Sequence, residues 1–144
     1  MNTTIEEHRY YEIAKTQAYI YRYMARNGYS LEIFSEKYMH SDFCNREMDA
    51  SYSFFQINDE VVCLDYILSE IGRIPKSVQQ YSEDLACWVG SIYRLLHIKT
   101  GLPSSVIADR IPFKDMAVAY LGMHTIDDEL ALDNLIKGRL QIKA

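Results

Sequence analysis

No stretch of this 144-residue chain approaches the ~18 consecutive apolar residues that a membrane-spanning helix needs, so no helical membrane domain is expected. Cysteine is scarce: Cys44, Cys63 and Cys87 form no CxxC pair, and an odd number leaves one thiol over in any disulfide scheme. Neither a disulfide framework nor a cysteine-based zinc site is expected. Six glycines and three prolines, without any low-complexity tract, argue against disorder outside the ends. Positive charge is also in short supply, with 15 Lys and Arg against 20 Asp and Glu, a formal net charge of -5 and a pI near 5.3. That balance disfavours non-specific attraction to nucleic acid or to anionic membranes. The nearest approach to a basic patch is Lys137, Arg139 and Lys143, which suit the C-terminal end of a helix. The common phosphate loops GxxxxGK[ST] and GxGxxG are missing, as is the GxSxG elbow of serine hydrolases. No cofactor and no metal are therefore expected. The opening residues carry Glu6 and Glu7 where a secretory signal would have a basic region before an apolar core. The expected compartment is the cytoplasm, with reduced thiols.

What the chain does have is hydrophobic material, 49% of its residues. At this length folding buries on the order of 70% of the unfolded surface. The spacing predicts a first helix capped at Thr3 or Thr4, with Thr4 and Glu7 as a capping box, ending at Asn27-Gly28. Its inward stripe is Tyr10, Ile13, Ala14, Gln17, Ile20, Tyr21 and Met24. Ser30 caps a second helix carrying Leu31, Phe34 and Tyr38 and ending near His40. A short helix over 43–55 follows, then an Asp59-capped helix with Val61, Leu64, Leu68 and Ile71 inward and Gly72 at its end. The segment RIPKSVQQYSED reads as a loop with one turn of helix after Pro75 and is the one candidate hinge.

The stretch 82–122 holds the only Trp and the longest apolar helical pattern. Leu85, Trp88, Val89, Ile92, Leu95, Leu96 and Lys99 recur at three- and four-residue steps. Gly101 ends that helix, a short helix surrounds 106–110, and Pro112 opens another ending at Gly122. Thr125 with Asp128 has capping-box spacing for a last helix through Leu130, Leu135 and Ile136. No segment alternates long enough to be a strand, SYSFFQI being the best candidate. The expectation is a single domain over 1–144, an irregular all-α bundle of about seven helices.

Trp88, Tyr93, Arg94 and His97 are the candidate functional residues. Arg94 with His97, and Tyr93 with His97, share helical faces, so they could hold a phosphate or carboxylate, or anchor an interface. The plainer reading is an amphipathic helix whose Arg stem covers apolar surface. His124, followed by Asp127 and Asp128, is a further candidate, although acidic residues there also suit a helix start. His40 and Cys44, four apart, are two ligands where zinc needs three or four. A helix-turn-helix over GLPSSVIADRI fails because the following helix, PFKDMAVAYLG, has one Lys and one Asp. Twelve tyrosines suit either a protein-contact surface or a tyrosine-rich core rim.

Three blocks, YMHSDFCNREMDASYSFFQ (38–56), WVGSIYRLLHIKTGLPSS (88–105) and YLGMHTIDDELALDNLI (120–136), resemble a family of small uncharacterised bacterial helical proteins. Genes of that family often sit beside toxin-antitoxin-like or mobile-element genes, including some whose products resemble ADP-ribosyltransferases. The resemblance covers most of the chain and carries no catalytic residues with it. It implies a bacterial cytosolic protein acting as an antitoxin or accessory factor by binding a partner protein, a toxin encoded nearby. Together these readings favour a non-enzymatic protein-binding module without nucleic-acid or membrane partners. The alternative is a small enzyme or ligand-binding domain around Tyr93, Arg94 and His97; a structural homodimer is the third.

Overall fold

Helix boundaries are written in short polar side chains. Ser30, Asp59, Ser82 and Asp127 accept backbone N–H bonds from Ile33, Val61, Leu85 and Glu129 at 3.3, 2.7, 3.0 and 2.8 Å, replacing partners that a first helical turn lacks. The computed structural model describes residues 5–141. Among these, seven α-helices follow in order: α1 Ile5–Arg26, α2 Leu31–Met39, α3 Glu60–Ile71, α4 Glu83–Thr100, α5 Ser104–Arg110, α6 Phe113–Met123 and α7 Asp128–Leu135. A π turn at Cys44–Met48 and a 3-10 turn at Phe54–Ile57 stand between α2 and α3, and a second π turn, Ile136–Leu140, extends α7. There is no strand among the described residues, and the fold is the all-α bundle expected. The Thr3 and Thr4 caps lie outside the described residues. No described helix is long and apolar enough to cross a membrane.

The core is an antiparallel pair. Arg26 meets Glu83 at one end of α1 and α4, and Gln17 meets Gly90 in the middle. Gly90 makes the close approach feasible, since a Cβ there would lie 2.7 Å from the Gln17 carbonyl oxygen and 3.1 Å from Ala18 Cα. The expected α4 stripe is buried at Leu85, Val89, Ile92, Leu95 and Leu96. Helices α2, α5 and α6 close one side around Tyr21, Phe34, Tyr38, Tyr93 and Phe113, whose rings pack edge-to-face, tilted or stacked. Tyrosine serves here because each hydroxyl finds a partner: Tyr21 with Ser35, Tyr38 on Gln17 and Tyr93 on the Ile111 carbonyl. Part of the tyrosine excess is therefore core.

Four expectations need correction. The chain over 43–55 is not one helix: it unwinds after Met48 and restarts at Phe54. The carbonyls of Glu47, Met48 and Ala50 accept from the Gln56 side-chain amide at 3.2, 3.2 and 2.6 Å, so one glutamine does the work of the missing helical N–H groups. SYSFFQI accordingly forms a turn, with Ser53 and Gln56 as a capping box. In α3 the buried row is Cys63, Leu64 and Ile67, while Val61 is exposed. The proposed hinge is pinned: Ser30 N–H donates to Pro75 O and Ser77 N–H to Gly28 O, both at 2.9 Å, with Ile74 buried beneath and no helical turn after Pro75. Finally, α7 is capped by Asp127, not Thr125, and buries Ala131, Leu132 and Leu135 while Leu130 is exposed.

Candidate functional site

Arg94 projects from α4 into the interior and is 0% exposed. A buried guanidinium is tolerated only where its donors and its charge are met. Nε and Nη2 donate to Gln17 Oε1 at 3.2 and 2.9 Å, and Nη1 donates to Met48 O at 3.1 Å and Asp49 Oδ1 at 2.6 Å. Nη2 also approaches Cys44 Sγ and Ser104 Oγ at 3.3 and 3.2 Å. Ser104 completes the ring, donating from Oγ and N to the two Asp49 oxygens at 2.6 and 2.9 Å. Burial pushes the Asp49 carboxyl up, but Arg94 and the Ser104 donors outweigh it and hold Asp49 below the usual carboxylate range. Burial pushes the Cys44 thiol up. An ionised pair thus ties together α1, the π turn, α4 and the start of α5. The network is closed, leaving no guanidinium N–H directed at a ligand.

The other candidates separate. Tyr93 is buried and bonded to Ile111, so neither it nor Arg94 offers surface to a partner. His97 sits beside Asp49, with Nδ1 2.7 Å from Leu102 O and 3.7 Å from Asp49 Oδ1. It lines a half-open cleft of about 320 Å³ with Arg9, Tyr10, Ser51, Gln56 and Ile98. Arg9 latches that cleft, donating to Ser51 O at 2.7 Å and Gln56 Oε1 at 3.2 Å while lying 4.6 Å from the Tyr52 ring centre. Trp88 and His124 belong elsewhere: Trp88 packs on Tyr120 at 5.8 Å and Tyr120 stacks on His124 at 4.0 Å. The structure thus brings Arg94 and His97 together through Asp49, and Trp88 and His124 together through Tyr120.

His40 and Cys44 do not converge, since Cys44 faces Arg94 in the core whereas His40 is exposed. His40 instead bonds the Glu36 carbonyl through Nδ1 at 2.7 Å and Asp109 through Nε2 at 2.8 Å. Glu36, His40 and Asp109 are the grouping of potential metal ligands found among the described residues. Because both ring nitrogens already have partners, Nδ1 within α2 and Nε2 on Asp109 of α5, the grouping acts as an ion-pair clasp between the two helices.

The most unusual surface was not singled out in the sequence. Tyr52, Phe54 and Tyr66 are 77%, 70% and 58% exposed, and Ile57, Val61 and Val62 of the same 3-10 turn and α3 are also exposed. Phe55 joins them, its ring 5.4 Å from Phe54 and 4.9 Å from Tyr66. Period alone assigned Val61 to the interior. The available signal was the density of aromatics in SYSFFQI next to polar Asn58-Asp59. Helix α3, which supports this ridge, carries Glu60, Asp65 and Glu70 and no basic residue. Comparison of the chain with models of protein families, with curated proteins and with solved structures finds no match, so the chemistry of these surfaces carries the functional reading.

Proposed function

We propose that this chain is a non-enzymatic protein-binding module whose docking face is the ridge Tyr52, Phe54, Ile57, Val61 and Tyr66. The carrying observation is the exposure of three aromatic side chains, Tyr52, Phe54 and Tyr66, the last two joined through the Phe55 ring. At about 150–250 Å² each, they alone present on the order of 400 Å² of largely apolar surface, the scale at which patches mark interaction sites. Aromatic anchors of this kind dominate binding energy. The partner is a protein with a basic surface, because acidic α3 lies behind the ridge and the chain carries a net charge of -5. The family resemblance would make that partner a toxin and this chain its neutralising factor.

The enzyme or small-ligand reading is supported by one feature, the cleft at His97. Against it, Arg94, Asp49, Gln56 and Arg9 around that cleft already hydrogen-bond one another or the backbone.

The test uses the wild-type chain and a Phe54→Ser/Tyr66→Ser variant, each immobilised and exposed to extract of the native host, with any retained protein then purified and titrated. The expected result is a basic protein that binds wild type stoichiometrically, is released by salt and is lost by the variant. Equal retention by both forms, or a wild-type chain that self-associates through the ridge, would overturn the proposal.

A further inference from the structure

A pocket of about 270 Å³ opens beside the ridge, between the first π turn with the two residues before it, Phe55 of the 3-10 turn, and Tyr66 and Glu70 of α3. Its apolar wall is aromatic: Phe43, Phe55 and Tyr66, with ring centres 5.0 Å apart for the first pair and 4.9 Å for the second, both edge-to-face. Its rim is mainly acidic, with Asp42, Glu47 and Glu70 against Arg46 alone. Two of the carboxylates are held in place. Glu70 accepts the backbone N–H groups of Asp42 and Phe43 at 2.7 and 2.9 Å, and Glu47 accepts the Ser53 hydroxyl at 3.4 Å. Neither bond neutralises the charge, and no ion pair joins Arg46 to any of the three among the described residues.

Ring faces and rim carboxylates both attract cations, the first through the ring quadrupole and the second through charge-assisted hydrogen bonds. The volume falls below the roughly 300–1,000 Å³ of sites for drug-sized ligands, which suits one side chain better than a cofactor. We infer that this pocket receives a cationic side chain, arginine or lysine, and that in the docked complex the side chain belongs to the basic partner. The inference deepens the ridge proposal and rests on it for the identity of the donor. The apolar stem lies along Phe43, Phe55 and Tyr66 while the charged head meets Asp42, Glu47 and Glu70. Arg46, the one like charge, opposes it and favours a partner whose cation reaches past the rim.

The test is an NMR titration of the intact chain with N-acetyl-arginine methylamide, with the neutral citrulline analogue as control. Saturable shifts should localise to Phe43, Phe55 and Tyr66, with citrulline binding at least about 3-fold more weakly. Glu47→Gln should weaken arginine binding about 2–5-fold, the scale of one exposed cation contact, and Arg46→Ala should strengthen it. If Glu47→Gln disturbs the fold, Asp42→Asn serves the same purpose. Equal shifts with citrulline, shifts centred elsewhere, or no response to either charge change would overturn the inference. The Phe54→Ser variant separates the two proposals: Phe54 is on the ridge but does not line the pocket, so arginine binding should survive while the partner is lost. Retention of a basic protein without arginine binding would sink the pocket alone, and arginine binding without any protein partner would sink the docking role alone.

Discussion

Replacing Asp49 by Asn would leave the shape of the interior nearly unchanged and remove the one carboxylate that meets Arg94. The Asp49 side chain is 7% exposed and the Arg94 side chain 0%, so water cannot take over. Of the acceptors around the guanidinium, Gln17 Oε1 and Met48 O are neutral, and Ser104 loses its own carboxylate partner in the same step. Removing one member of a buried pair costs about 3–5 kcal/mol, because the remaining charge is uncompensated. Against a total stability of about 5–15 kcal/mol this is a large fraction, and for a chain of this size it corresponds to a fall in Tm of roughly 6–20 °C. Urea unfolding followed by far-UV circular dichroism should show a lower midpoint with an unchanged slope. Adding Arg94→Met to the variant should recover at least about 1 kcal/mol, since the orphaned charge is then gone. The effect also has a pH signature. Asp49 titrates below its ordinary value of 3.8 in the folded state, so its stabilisation is complete above the unfolded value and disappears as pH falls through the folded one. Wild type should therefore lose stability more steeply than Asp49→Asn on acidification. A cost below about 1 kcal/mol at neutral pH, typical of a surface pair, would refute the ionised interior pair.

Two further outcomes are expected. Gly90→Ala would place a Cβ 2.7 Å from Gln17 O and 3.0 Å from Tyr21 Cγ; overpacking of about 1–3 kcal/mol should cancel or exceed the helix-propensity gain of about 1 kcal/mol. Gly122→Ala on α6, where nothing lies within 4 Å, should be neutral or stabilising in the same thermal melts, and equal behaviour of the two would contradict the α1–α4 approach. For His40, burial is the largest single influence and lowers its pKa, but the Glu36 carbonyl, Asp109 and the Glu36 charge together raise it above 6.5. The protonated clasp should therefore stabilise fully below about pH 6.5 and be lost as pH rises through the folded value. The stability gap between wild type and His40→Gln should be larger at about pH 5.5 than at about pH 8.5, and a gap independent of pH would refute the clasp.

The legible parts of the fold are the locally encoded ones. Ser30 and Asp59 cap helices at their own positions, and Gly28, Gly72 and Gly101 end them with positive φ. Those signals act within one helical turn. Of the row Val61, Leu64, Leu68 and Ile71, only Val61 faces out; the most deeply buried residues are Cys63, Leu64 and Ile67, also helically spaced, because where α3 lies against α1 decides which side of it is covered. The 43–55 helix failed because Gln56, several residues away, collects its free carbonyls. The candidate site was half legible for the same reason: helical spacing put Arg94 and His97 on one face, but Asp49 and Gln17, which decide what Arg94 does, approach from 45 and 77 residues away.

By itself the sequence determined an all-α chain, the Ser30 and Asp59 caps, the glycine ends at Gly28, Gly72 and Gly101, and the apolar stripe of α4, since propensity, capping and period are short-range properties of the backbone. Only the tertiary structure decided that Arg94 and Tyr93 are interior parts, that Trp88 and His124 share a stack on Tyr120, and that Tyr52, Phe54 and Tyr66 face solvent. Burial depends on which surfaces meet, and a charge or an aromatic ring carries no local mark of whether its partner lies across the core or in another molecule.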